Sequence, residues 1–468
     1  MGRTLFDPDE LVRKNGGKPT MSMSQVEKAA HQINDANPDK PLDAPTTIPG
    51  PWEKDRMDLS SLDHKVAEAQ PDLNADHRTA SDKQYTDIMG PKHDFGVPTL
   101  EEIGIAPSQV TTPHRGGESV ALETLAGYIQ DDEYVGTFEK PQTSPAAFEP
   151  QSTTLLSPHL HFGSLSVRKF WWDVQEDMAK RQHAKKPTAT IPTNLPGQLL
   201  FRDMYFAAQA AVGDAFARTH GNKIVRVIDW HLPSKPPGTA VDGVSHARDY
   251  EIDSPAAEEW FQRWKAGRTG FPWIDALMRQ LRQEGWIHHL GRHSVACFLT
   301  RGGCYVSWER GAEVFEELLI DHETACNVGN WMWLSCTAFF AQFYRCYSPV
   351  AFGKKWDPEG AFVRRYVPEL AQFDKKYIYE PWKAPAGEQE KWGCRITGDG
   401  SAEKSAGVYP APMFDFDERR KICLDGMKHA YDVGMHGDDP RVLDGSWAVV
   451  FGEEDDRPPK KKPKTETA

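Results

Sequence analysis

The chain has 468 residues, 39% hydrophobic and 26% charged, with a formal net charge of −13. That suits a soluble protein of two or three domains and gives no overall attraction to nucleic acid. Its seven cysteines form no CxxC pair and are odd in number, which argues against a disulfide scaffold or a zinc site and favours a reducing compartment.

In chain order, residues 1–114 are rich in Pro, Asp, Lys and Ser and read as an extended, partly ordered lead segment with scattered short helices. The first thirty residues show no secretory leader, and no run approaches the ~18 apolar residues of a membrane span. At Arg115-Gly116-Gly117-Glu118 the pattern changes: Val120, Leu122, Leu125 and Tyr128 recur at helical spacing. From Gln151 onward helix follows helix. Val167, Phe170, Trp171 and Val174 mark one face of a helix over 165–178, and another spans 195–212 with Pro196 near its start. Further helices are predicted over 255–266, 272–284, 286–300, 309–320 and 331–345. Residues 231–250, with three prolines and two glycines, read as a surface loop. No alternating strand pattern occurs, so 115–436 is predicted to be an all-α domain, followed by a polar, disordered basic tail over 437–468.

Between positions 285 and 347, Trp286, Trp308, Trp331 and Trp333 are interleaved with His288, His289 and His293, and Arg292, Asp321 and Asn327 lie among them. A planar, redox-active or aromatic ligand would explain this interleaving better than a plain core. Each part also has an ordinary reading. His289 and His293 share a helix face; core or surface histidines are the default and proton shuttling the alternative. No HExxH accompanies them, and no metal is expected. Arg292 and Asp321 read as an ion pair, and the tryptophans as core. The run Thr153-Thr154-Leu155-Leu156-Ser157-Pro158 is a helix N-cap or a phosphate cradle that Gln198 and Arg202 would join. No GxGxxG or GxxxxGK[ST] loop occurs. The basic run KKKPK at 460–464 reads as a nuclear-import address ahead of a solubilising tail, with the cytoplasm as a second location.

The segments STTLLSPHLHFG, PGQLLFRDMYF, GRTGFPWIDALMRQLRQEGWIHHLGRH, VFEELLIDHETACNVGNWMWLSC and FVRRYVPELAQFDKKYIYEPWKAP cover most of 115–415. They resemble the photolyase/cryptochrome family, above all its (6-4) photolyase and animal-like cryptochrome branch. The resemblance implies a helical domain holding FAD bent into a U. Thr153, Thr154, Leu156 and Ser157 match the phosphate-binding turn, and Gln198 and Arg202 the next helix. His289, the Arg292–Asp321 pair, Glu323 and Asn327 match contacts near the flavin. Trp331, Trp308 and Trp230 match an electron relay, with Trp260 the rival for the distal place and Tyr305 where some relatives add a fourth member.

The resemblance further implies repair of (6-4) photoproducts, with His289 and His293 catalytic and His289 giving a proton as an imidazolium. Gln198, Phe201, Trp333, Tyr347 and His161 would meet a lesion flipped out of double-stranded DNA, and Lys354, Lys355, Arg364 and Arg365 its phosphates. The alternatives are a photoreceptor with clock or transcription-factor partners and little or no repair, and a flavin-free scaffold. Four places depart from the family pattern: Phe201 for tryptophan, Asp203 for glutamate, His161 for a basic residue, and Cys326 to Asn330 around Asn327. The sequence also starts in the connector after the family's α/β antenna domain, so no complete antenna domain is expected.

Overall fold

The structure, a computed structural model, describes residues 4–42, 100–101, 103–148, 150–236, 249–399 and 407–452. Residues 1–41 and 114–468 form one unit and 42–113 a second, whose described part is turns around a 3-10 turn at Pro107–Gln109. In the first unit the helices are α1 (Pro8–Lys14), α2 (Met23–Asn34), α3 (Glu118–Gln130), α4 (Asp132–Thr137), α5 (Ser157–Phe162), α6 (Val167–His183) and α7 (Leu195–Val212). They continue with α8 (Pro255–Ala266), α9 (Pro272–Glu284), α10 (His289–Leu299), α11 (Trp308–Leu318), α12 (Thr324–Ser335), α13 (Ala351–Trp356), α14 (Ala361–Tyr366) and α15 (Ala386–Lys391). Last come α16 (Phe416–Val433), α17 (Pro440–Leu443) and α18 (Trp447–Gly452). The only strands among the described residues, β1 (Arg395–Ile396) and β2 (Val408–Tyr409), pair in parallel. The fold is the expected helical one.

Helix α7 organises the N-terminal half. Asn194 caps it by accepting the Gly197 N–H at 2.9 Å, and Pro196 sits in its first turn, where a missing N–H costs nothing. A side chain at Gly197 would meet the Pro192 carbonyl at 2.5 Å, so the preceding loop lies directly on the helix. α1, α2, α6 and α12 pack around α7. The expected lead segment is therefore not uniform, because residues 4–41 belong to this core. Buried Asp203 on α7 accepts the Leu5 and Phe6 N–H groups at 3.2 and 3.0 Å. Two large apolar clusters result, one on α1–α7 and one on α8–α12, α14 and α16.

Several boundaries differ from the sequence reading. The helix expected over 286–300 starts at His289 because the His288 side chain caps it, accepting the Leu290 N–H at 3.1 Å. The helix expected over 309–320 begins one residue earlier and ends at Leu318. The largest correction concerns 331–345. The helix there is Thr324–Ser335, ending where Cys336 turns left-handed (φ 60). Buried Arg301 decides this, since its guanidinium donates to the carbonyls of Leu334 (2.7 Å), Phe343 (2.8 Å) and Arg345 (2.8 Å), folding the aromatic run 339–347 into a loop. The expected tail also shortens: Val442 on α17 packs with Val227 and Met435, and Trp447 on α18 covers them. Residues 237–248 of the expected surface loop, and the 460–464 run, lie outside the described residues.

Candidate functional site

A cavity of about 280 Å³ opens where the two apolar clusters meet, walled by α5, α7, α10, α12 and the loop before α5. Every residue that the sequence assigned to a dinucleotide lines it: Thr153, Thr154, Leu156, Ser157, Gln198, Arg202, His289, Arg292, Asp321, Glu323 and Asn327. Leu155 holds a left-handed φ of 53°, bending the turn that enters α5. The Arg292 guanidinium donates to both oxygens of buried Asp321 (3.1 and 2.8 Å) and to the Ile287 carbonyl (2.9 Å). Ser157 donates to the same Asp321 at 2.7 Å, tying α5 to the α10 ion pair. Arg202 forms a forked pair with Glu323, through Nε and Nη2, joining α7 to the start of α12. That fork, and the hold on Arg292 by Asp321 and the Ile287 carbonyl together, fix the direction of each cation. Gln198 donates to the Pro192 carbonyl (2.8 Å), and the Asn327 amide donates to the Ala312 carbonyl (2.9 Å).

His289 and His293, one turn apart, also line the cavity, their rings edge to face at 5.8 Å. His288 packs against His289 at 4.2 Å. Because His288 Nδ1 accepts a backbone N–H, its Nε2 carries the proton and donates to Thr143 Oγ1 at 2.9 Å, which in turn donates to the Lys140 carbonyl at 2.7 Å. That chain locks His288 neutral and fastens the Lys140 loop to α10. Burial first, and the Lys140 charge second, pushes His288 and His293 down to about 3 and His289 well below its usual value. Burial and then Arg292 lower Lys140 to about 8. Burial and the nearby Lys140 thus disfavour an imidazolium at His289 in the ligand-free cavity.

The expected relay residues divide into two groups. Trp331 lines the cavity and packs on Phe315 (5.1 Å) and Trp264 (6.2 Å). Its ring lies on the backbone of α11, since a side chain at Gly311 would meet it at 2.2 Å. Trp308, fully buried, begins α11 one turn before Gly311. Trp230 packs against Tyr305 at 4.7 Å, whereas Trp260 lies against Phe414 (5.4 Å) under Arg419.

The expected lesion contacts gather less tightly. Phe201 meets Trp333 at 5.5 Å, and Trp333 stacks on Phe340 at 5.4 Å. Tyr347 lies with its hydroxyl 3.3 Å from His293 Nδ1. His161 sits at the C-terminal end of α5 against exposed Phe162. Of the proposed phosphate contacts, Lys354 is paired with Glu380 at 2.7 Å, while Arg365 lies over Phe148. Sequence reasoning missed Lys140 and His322 on the cavity wall. A lysine in an irregular loop has no periodicity to reveal it. His322, between Asp321 and Glu323, was the more visible of the two.

The wall is chemically incomplete without a ligand. Thr153 Oγ1 and His322 Nε2 are buried there with no hydrogen-bond partner, a state native proteins avoid. Apolar side chains (Phe138, Leu199, Phe315) alternate with guanidinium and ammonium groups, as an aromatic ring joined to an anionic linker requires. The residues present fit a flavin dinucleotide.

Residues 195–429 match the model of the FAD binding domain of DNA photolyase. The chain is 36% identical over 441 residues to a (6-4)DNA photolyase of Oryza sativa subsp. japonica, covering 94% of this chain and 66% of the relative. It is 37% identical over 433 residues to Cryptochrome-1 of Rattus norvegicus, covering 92% and 61%. It therefore spans just under two thirds of the length of these relatives. In fold it is similar to a bacterial class III photolyase from Agrobacterium tumefaciens, with a TM-score of 0.56 at 24% identity over 92% of this chain and 72% of that one. Among the described residues no helix is long and apolar enough to cross a membrane.

Proposed function

We propose, from the premise that this chain belongs to the photolyase/cryptochrome family and takes FAD as its cofactor, that it is a light-driven enzyme repairing (6-4) pyrimidine–pyrimidone photoproducts. The observation that carries the reading is the placement of His289 and His293 on the wall of the cavity lined by the dinucleotide contacts. Bound FAD supplies an electron on absorbing blue light. Thr153 offers its unpartnered hydroxyl to the anionic linker, Ser157 braces Asp321, and Arg202 and Arg292, each held by a carboxylate, offer fixed cations. Asn327, anchored through Ala312, presents a neutral amide.

His289 starts neutral, so it must gain a proton before giving one. DNA phosphates beside it would raise its affinity for that proton, and Lys140 is the ammonium at hand. Trp333 and Tyr347 offer aromatic faces to a base extruded from double-stranded DNA, and surface lysines and arginines add salt-sensitive phosphate contacts. Reduced, illuminated protein is expected to restore the bases of an oligonucleotide carrying one (6-4) photoproduct and to leave a cyclobutane dimer intact. His289→Ala should abolish repair with flavin still bound. Undiminished repair by that variant, or repair of the cyclobutane substrate instead, overturns the reading.

The second reading is a blue-light photoreceptor acting through clock or transcription-factor partners. It is supported by the cryptochrome relatives, which match as well as the photolyases do. Absence of repair together with light-dependent capture of a partner selects it. Nuclear import through the basic run at 460–464 is part of either proposal, and a reporter fused to that run tests it.

A further inference from the structure

The segment 321–323 runs along the cavity wall between α11 and α12 and is pinned at both ends. Asp321 is held by Arg292 on α10 at 2.8 Å and by the Ser157 hydroxyl on α5 at 2.7 Å. Glu323 is held by Arg202 on α7 at 2.8 Å. Between them His322 also lines the cavity, and its Nε2 is enclosed without a hydrogen-bond partner. Both flanking carboxylates are thus neutralised by arginines, whereas the imidazole between them is left unserved, a state that native structures seldom tolerate. A second atom on the same wall is in the same state, the Thr153 hydroxyl in the turn before α5. The Ser157–Asp321 bond sets residues 321–322 alongside that turn. His161, one turn further along α5, is near enough for its charge to act on His322. Two enclosed polar atoms, both able to donate, therefore lack a partner on the α5 side of one cavity.

We propose that His322 is a cofactor-binding residue whose Nε2–H donates to the anionic linker of FAD beside the Thr153 hydroxyl, so that the chain holds FAD most tightly when this imidazole is protonated. The proposal rests on the cavity as the FAD site and is the same whether the chain repairs DNA or signals. A diphosphate offers acceptors and no donors, which is what two orphaned donors require. Asp321 and Glu323 do not repel it, because each is paired with an arginine. The charged groups around His322 come from three sides: Glu316 on α11, His161 on α5, and Asp321 and Glu323 in its own segment. In the free chain burial holds the imidazole pKa below its ordinary value, with Glu316, Asp321 and Glu323 opposing and His161 adding to the effect. Phosphate charges within hydrogen-bond reach favour the charged form and raise that pKa in the complex. Binding then takes up a proton. Affinity is greatest below the pKa of the free chain and declines as pH rises through the higher pKa of the complex. Lys140, at about 8 on the same wall, adds a separate loss at more alkaline pH, while His289 and His293 titrate further into the acid.

Release of FAD from the flavin-loaded full chain tests this. On dilution the recovering flavin fluorescence gives the release rate, which should rise between pH 6 and 8. His322→Ala should release FAD about tenfold faster at pH 6, the factor for one charge-assisted hydrogen bond, and should lose most of the rise. His322→Gln, whose amide also donates, should recover part of that factor at pH 6 without recovering the rise. The phosphorus magnetic resonances of bound FAD give a readout that a merely structural role would not move. They should shift between pH 6 and 8 in the unsubstituted chain and stay in place in His322→Gln. Release at pH 6 as slow from His322→Ala as from the unsubstituted chain overturns the proposal. So do phosphorus resonances that behave alike in the unsubstituted and His322→Gln chains.

Discussion

The two ends of the tryptophan series carry opposite electrostatics. At the cavity, Lys140 and Arg292 act on His288, His289 and His293, and burial first and these cations second push the imidazole pKa values down. At the far end the charged partners are carboxylates: Asp229 accepts from Tyr305, and buried Glu309 accepts from Thr219 and Ser234 at 2.9 and 2.8 Å. One end is short of protons and ready to bind anions. The other holds proton acceptors against an oxidisable phenol. The same fold thus sets cations at the cavity and carboxylates beside Trp230 and Tyr305.

The comparison breaks most visibly at its connection. Trp308→Phe should reduce photoreduction of the oxidised flavin-loaded chain by about 100-fold, measured by flavin absorbance under blue light, while repair by chemically reduced protein persists; a difference of about 2.7 kcal/mol in barrier is implied. Equal photoreduction would remove Trp308 from any path between the ends. Gly311→Ala drives a methyl into the Trp331 ring and should cost about 3 kcal/mol in urea unfolding.

Acid tests the cavity end through its buried histidines. The folded pKa of His288 is depressed to about 3. Its contribution is therefore present above the unfolded value near 6.5 and lost as pH falls from there towards 3. Between pH 7 and 5 the loss should be about 2 kcal/mol, read from denaturation midpoints. His288→Gln should flatten that slope; an unchanged slope would mean other groups carry it. The smallest effect is expected for Thr143→Val, which removes the bond from His288 Nε2 at about 1 kcal/mol and should raise flavin dissociation slightly without touching the far end.

Much of this was legible in the residues. The helices over 195–212, 255–266 and 272–284 agree with the structure because Pro, Asn and Ser caps and closing glycines mark their ends. The dinucleotide contacts were legible as a resemblance between motifs, and all of them meet in one cavity. The helix placed at 331–345 failed for a tertiary reason. Nothing local stops α12 at Ser335, and the stop comes from Arg301, some thirty residues earlier in the chain, claiming three carbonyls. Asp203 similarly looked like a departure in a binding helix, yet in the structure it fastens Leu5 and Phe6.

Local chemistry alone settled the helical character and the positions of the strongest caps, because periodicity and capping act over a few residues. The tertiary structure decided the surroundings and pairings of individual side chains: that His289 sits beside Lys140 and Arg292, and that Tyr305 finds Asp229. Burial and electrostatic fields depend on distances between residues far apart in the chain, and only folding sets those distances.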